Sequence, residues 1–153
     1  MKLKPTLLLF SFVFFISCKE RFIYSESTSD FTANQWMKDD VKSFEFDNQT
    51  AQNYHLSLNI SHVYDYQFDR IPLGVGITYP EGKTEVVFFD LILKDAQGKD
   101  LGDCLGDICD LEQTFKTNFP LRKGKYTFTV FHKFGHPYVP NISNLGITIE
   151  KSN

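Results

Sequence analysis

Apolar and polar residues alternate one for one along most of this chain, the pattern of strands that bury one face. In Tyr54-His-Leu-Ser-Leu-Asn-Ile60 the apolar set is Tyr54, Leu56, Leu58 and Ile60. Tyr126-Thr-Phe-Thr-Val130 and Leu145-Gly-Ile-Thr-Ile149 repeat the pattern. Four further stretches read as strands: Ser43 to Phe46, Leu73 to Tyr79, Glu85 to Lys94 and Leu111 to Phe115. Pro80-Glu-Gly82, Asp95-Ala-Gln-Gly98 and Arg122-Lys-Gly124 supply turn residues between them. No segment carries a long helical stripe, and the best helix candidate is one short turn around Trp36 to Val41. Seven or eight short strands with many aromatics predict an all-β domain, an antiparallel β-sandwich of jelly-roll or Ig-like type. A closed barrel is the runner-up, because sequence does not show which edges pair.

The N-terminus departs from this pattern. Met1 to Lys4 holds two lysines and no acid, Leu7 to Ile16 is almost wholly apolar, and the small Ser17 precedes Cys18. That is the order of a secretory signal. The apolar run is about half the roughly 20 residues a spanning helix needs. Phe15-Ile-Ser-Cys18 resembles the bacterial lipobox, with Phe where Leu is more usual, which makes Cys18 the acyl acceptor. Each buried methylene contributes about 0.8 kcal/mol, so two or three chains on Cys18 hold the protein at a membrane. The competing readings are an uncleaved anchor stopped by Lys19-Glu-Arg21, and an ordinary signal that leaves Cys18 a free thiol. Exposed free thiols are a liability in oxidising compartments. The expected organisation is therefore a signal peptide over 1–17, a lipid-anchored tether over 18–33 and the sandwich over 34–153. Within the tether, Phe22-Ile-Tyr24 can open an edge strand.

Charge narrows the partners. The whole chain carries −3, and loss of Lys2 and Lys4 with the signal takes it to −5. An acidic domain argues against nucleic acid, which rewards basic patches. It also disfavours electrostatic adhesion to anionic lipids and leaves membrane attachment to the acyl chains.

With Cys18 acylated, Cys104 and Cys109 are an even pair, and a disulfide is the natural reading. Around them lie Asp95, Asp100, Asp103, Asp107 and Asp110, without the Asp-x-Asp-x-Asp-Gly order of a calcium loop. A solvated acidic loop is the expectation, with no metal. His132-Lys-Phe-Gly-His136 lacks an accompanying nucleophile motif, so no enzyme activity and no cofactor are expected. Asn48, Asn59 and Asn141 head Asn-x-Ser/Thr triplets that matter only in a eukaryotic secretory pathway. Trp36, Tyr64, Tyr66, Phe68 and Tyr79 form a candidate ligand or partner surface, the tyrosines and Phe68 as a possible sugar-stacking platform.

Asn34-Gln-Trp-Met-Lys-Asp-Asp-Val-Lys-Ser-Phe-Glu-Phe46 resembles the opening of the mature domain in the GldH family, the gliding motility lipoproteins of Bacteroidetes. His62-Val-Tyr-Asp-Tyr66, Gly98-Lys-Asp-Leu-Gly102 and Leu145-Gly-Ile-Thr-Ile-Glu-Lys151 resemble later family motifs in the same order. Asp100 stands where the family often has Trp, the Cys104/Cys109 pair is not a general family feature, and His132 to His136 replaces a segment that usually holds Met-Arg. The resemblance implies a non-catalytic component of the gliding apparatus, linked to type IX secretion, that docks other gliding and secretion envelope proteins. It implies an outer-membrane lipoprotein. Lys19-Glu-Arg21 matches the phylum's acidic surface-export tag only in part, which favours the periplasmic side. A lipid-anchored glycan-binding sandwich is the alternative.

Overall fold

The structure is a computed structural model that describes residues 22–152. Cys18 and the signal segment lie outside the described residues. Two antiparallel sheets face each other. The first contains β1 (Phe22–Thr28), β4 (Gln52–Val63), β7 (Asp103–Leu105), β8 (Ile108–Leu121) and β11 (Ile142–Lys151), in the order β1-β11-β4-β8-β7. The second contains β3 (Lys42–Asn48), β5 (Arg70–Thr78), β6 (Thr84–Ile92) and β9 (Gly124–His132), in the order β3-β9-β5-β6. A small ribbon pairs β2 (Trp36–Met37) with β10 (Tyr138–Val139).

The alternation in the sequence becomes the core. Leu56, Leu58 and Ile60 of β4 and Leu145, Ile147 and Ile149 of β11 are buried from one sheet. Phe44, Val75, Ile77, Tyr126, Phe128 and Val130 meet them from the other. Burying one such side chain is worth about 1.5–3 kcal/mol against leaving it exposed, so this layer dominates stability. On the outer side of β5, Gly74 leaves room for the Phe131 ring, whose nearest atom would stand 2.4 Å from a Cβ there.

The sheets close into a sandwich through side chains instead of a barrel ladder. Between β6 and β8, the Gln113 amide accepts from the Ile92 N–H at 2.8 Å and donates to the Asp90 carbonyl at 2.9 Å. Gln113 thus imitates a strand partner for the β6 edge. Phe89 stacks on Phe115 beside it, with centroids 5.3 Å apart, and Lys116 pairs with Glu85 at 3.6 Å. At the opposite opening Tyr24 meets Phe46 with centroids 5.1 Å apart.

The edge strand that Phe22-Ile-Tyr24 can open forms within the stretch expected as a tether: 22–28 is strand β1 on β11, with a register irregularity between Phe22 and Tyr24. The turn expected around Trp36 to Val41 is not helical. A 3-10 turn at Thr32–Asn34 precedes it, and Ala33 and Asn34 take positive φ values of 53° and 55°. That backbone bends the chain into β2 and cannot feed a right-handed helix.

Candidate docking surface

Trp36, expected at a surface, is fully buried. Its indole N–H donates to the Asp40 carbonyl at 2.7 Å, and its ring packs edge-on against His132 at 5.1 Å. The Nε2 of His132 lies 3.1 Å from the Trp36 carbonyl, and the Phe134 N–H donates to its Nδ1 at 3.3 Å. The Nδ1 acceptor role assigns the ring proton to Nε2. Burial holds the His132 pKa below its usual value. Lys42 fixes the segment before β3, pairing with Asp40 at 2.7 Å and lying over the Phe31 ring at 4.6 Å. The Asn-x-Trp segment is therefore an anchor of the fold.

The other aromatics do not assemble into one platform. Tyr66 is fully buried, donates its hydroxyl to the Pro140 carbonyl at 2.6 Å, and burial raises its pKa. Phe68 is half-buried against Phe134 at 4.7 Å, beside a crevice of about 230 Å³ that includes His136 and Pro140 but no carboxylate. Tyr79 belongs to the other end of the sandwich. It lines a cleft of about 500 Å³ with Phe119, Tyr126 and Arg122, and burial pushes its pKa up to about 12. Tyr64 alone of the four is well exposed, at 59 %.

Tyr64 leads to the most distinctive surface. Cys104 and Cys109 form a disulfide between directly opposed positions of β7 and β8. Gly106-Asp107 makes the two-residue turn between these strands, with Gly106 at φ +63°. A positive φ at the first turn residue suits the twist of a tight hairpin and favours glycine. The Tyr64 N–H donates to the Asp107 carbonyl at 2.9 Å and ties the turn to the end of β4. Leu105 is 90 % exposed at this tip, and Ile108 and Leu101 are exposed with it.

The register defines what this end presents. His62, Cys109 and Cys104 lie in one cross-strand row, and buried His62 and Cys109 mark its inner face. Side chains alternate along a strand. Val63, Ile108 and Leu105 therefore share one cross-strand row, with Val63 half-buried against the core and Ile108 and Leu105 exposed, and Ser61, Asp110 and Asp103 form the next outer row. Sequence reasoning missed Val63, Leu105 and Ile108. The available signal was a Gly-Asp turn framed by apolar residues inside a short Cys pair.

The neighbouring acids mostly serve turns. Asp95 accepts from the Gln97 and Lys99 N–H groups at 2.9 Å each, and Asp100 accepts from the Asp65 N–H at 2.8 Å. A hydrogen bond from Lys94 at 2.8 Å lowers the pKa of Asp65 and raises that of Lys94. Asp100 also clusters with Cys104 and Cys109, but sulfurs committed to a disulfide offer no thiolate to a metal. A second exposed apolar pair, Val86 and Phe88, lies on the outer face of the other sheet, with the Lys133 ammonium 4.6 Å over the Phe88 ring. Among the described residues no helix is long and apolar enough to cross a membrane.

Comparison with known proteins gives this fold a family. The chain is 27% identical over 154 residues to a gliding motility lipoprotein GldH homolog of Christiangramia forsetii, covering 95% of this chain and 93% of that protein. It is 27% identical over 121 residues to the gliding motility lipoprotein GldH of Flavobacterium johnsoniae, covering 78% and 74%. The pattern of the GldH lipoprotein family matches residues 23–149, from β1 into β11 and across both sheets. The chain belongs to the GldH lipoprotein family.

Proposed function

We propose that this chain is an accessory structural component of the gliding motility machinery linked to type IX secretion, held at the membrane by acyl chains on Cys18 and acting by docking envelope proteins. The observation that carries the reading is the family match over the folded domain, together with an apolar hairpin tip that no other part of the described chain covers. The family is one of motility lipoproteins, not of enzymes.

Chain geometry supports a division of labour between the two ends. Four peptide units separate Cys18 from Phe22, so those Cα atoms lie at most about 14 Å apart. Phe22 pairs with Glu150, and Glu150 pairs with His55 near the start of β4. Val63 lies eight residues further along β4, about 26 Å away at a strand's rise. The anchor serves one end and the hairpin occupies the other. Confinement of partners to one membrane raises their effective concentration. The periplasmic face of the outer membrane is the proposed location.

A strain lacking the gene tests this reading. It is expected to lose colony spreading and to export less type IX cargo; normal spreading with normal export contradicts the proposal. Cys18→Ala is expected to release the domain from the membrane fraction.

A further inference from the structure

The outer face at the hairpin end has a definite chemistry. The apolar row Val63, Ile108 and Leu105 borders the row Ser61, Asp110 and Asp103, and Asn59 with Glu112 follows on the same face. A shallow concavity of about 360 Å³ covers the two polar rows, beside the apolar row, and runs toward Asn144 and Ser27 of the neighbouring strands. Its lining includes three carboxylates, Asp103, Asp110 and Glu112, and no Lys or Arg. Among the described residues none of the three forms an ion pair, although Asp110 accepts a hydrogen bond from the Ser61 hydroxyl. Asn59 adds an independent sign. Its Nδ2 donates to the Thr148 hydroxyl, while its Oδ1 is buried without a partner. The unfilled positions on this floor are therefore acceptors, and an orphaned buried acceptor is a cost that a donor removes.

We propose that this face docks a segment of an envelope protein that sets Lys or Arg beside an aliphatic side chain, the aliphatic group on Val63, Ile108 and Leu105 and the cation over Asp103, Asp110 and Glu112. The inference rests on the docking reading above and names the partner's chemistry. Charge complementarity selects this occupant. An anionic lipid surface is repelled by the carboxylate floor, and an isologous pair of copies sets the same acids against each other. The disulfide and the Tyr64–Asp107 hydrogen bond hold the apolar row in place before binding, which reduces the ordering cost.

The test titrates the full acylated protein in non-ionic detergent with three fluorescent ten-residue peptides: alternating Leu-Lys, Leu-Glu and Ser-Lys. Detergent alone supplies the baseline. The Leu-Lys peptide is expected to bind at least tenfold more tightly than the other two, and more weakly at high salt. Asp103→Asn with Asp110→Asn, and separately Leu105→Ser, are each expected to weaken it at least tenfold. Phe88→Ser on the opposite sheet is expected to leave binding unchanged. Equal binding of all three peptides, Leu-Lys binding that survives the hairpin-face changes, or binding that requires calcium overturns the inference. If the peptides fail to discriminate while the deletion strain fails to spread, this inference falls alone. If the deletion strain spreads normally while the peptides discriminate, the gliding role falls and the site stands.

Discussion

His132 shows at residue scale how the core constrains chemistry. Its ring is wedged against Trp36 and bonded through both nitrogens, so protonation would break the Phe134 N–H contact and bury a charge. Its native pKa is lowered, so the unfolded chain takes up a proton more readily than the folded one. The stabilisation is whole above the ordinary value of about 6.5, is lost as pH falls from there to the native value, and declines no further below it. Thermal unfolding should show a midpoint that drops as pH falls below about 6.5. His132→Asn should flatten that dependence whatever its own midpoint, and an equally steep profile in the variant would assign the effect elsewhere. Sequence did not reveal this setting. Trp36 stands among Gln35, Lys38 and Asp39 in an aperiodic stretch, and Tyr66 stands between Asp65 and Gln67. Polar neighbours made both look exposed, whereas long-range contacts to β9 and Pro140 bury them.

The β7–β8 hairpin is the element whose role departs most from its size. Its covalent loop is short, so chain entropy gives the disulfide about 2 kcal/mol at most. Cys104→Ala with Cys109→Ala should lower unfolding free energy by about that much, leaving both sheets intact. Hydrogen exchange should quicken in Asp103 to Asp110 while Leu56 to Ile60 stays protected; loss of protection throughout would give the bond a global role instead. The long strands were legible because large apolar residues recur at every second position on the face each turns to the core. β2, β7 and β10 were not, and β1 only in its first three residues, since short or irregular edge strands have too few positions to display a period. β8 extends three residues before and six after the recognised Leu111 to Phe115, and its polar Gln113 and Lys116 serve the sheet edge.

At the scale of the whole molecule, Phe22 at the start of β1 and the hairpin belong to opposite ends of β4 and its neighbours. The family resemblance and the all-β class were legible from ordered motifs and alternation. The strand order was not, because pairing depends on contacts that sequence alternation leaves open. That order is what brings Val63, Ile108 and Leu105 into one row. The most direct test of a docking role is colony spreading by a strain whose sole copy carries Leu105→Ser with Ile108→Ser. Both side chains are exposed, so stability should change by no more than about 0.5 kcal/mol each, with normal protein levels in the membrane fraction. The account predicts spreading reduced to that of the deletion strain; wild-type spreading by cells holding the folded, membrane-bound variant would contradict it.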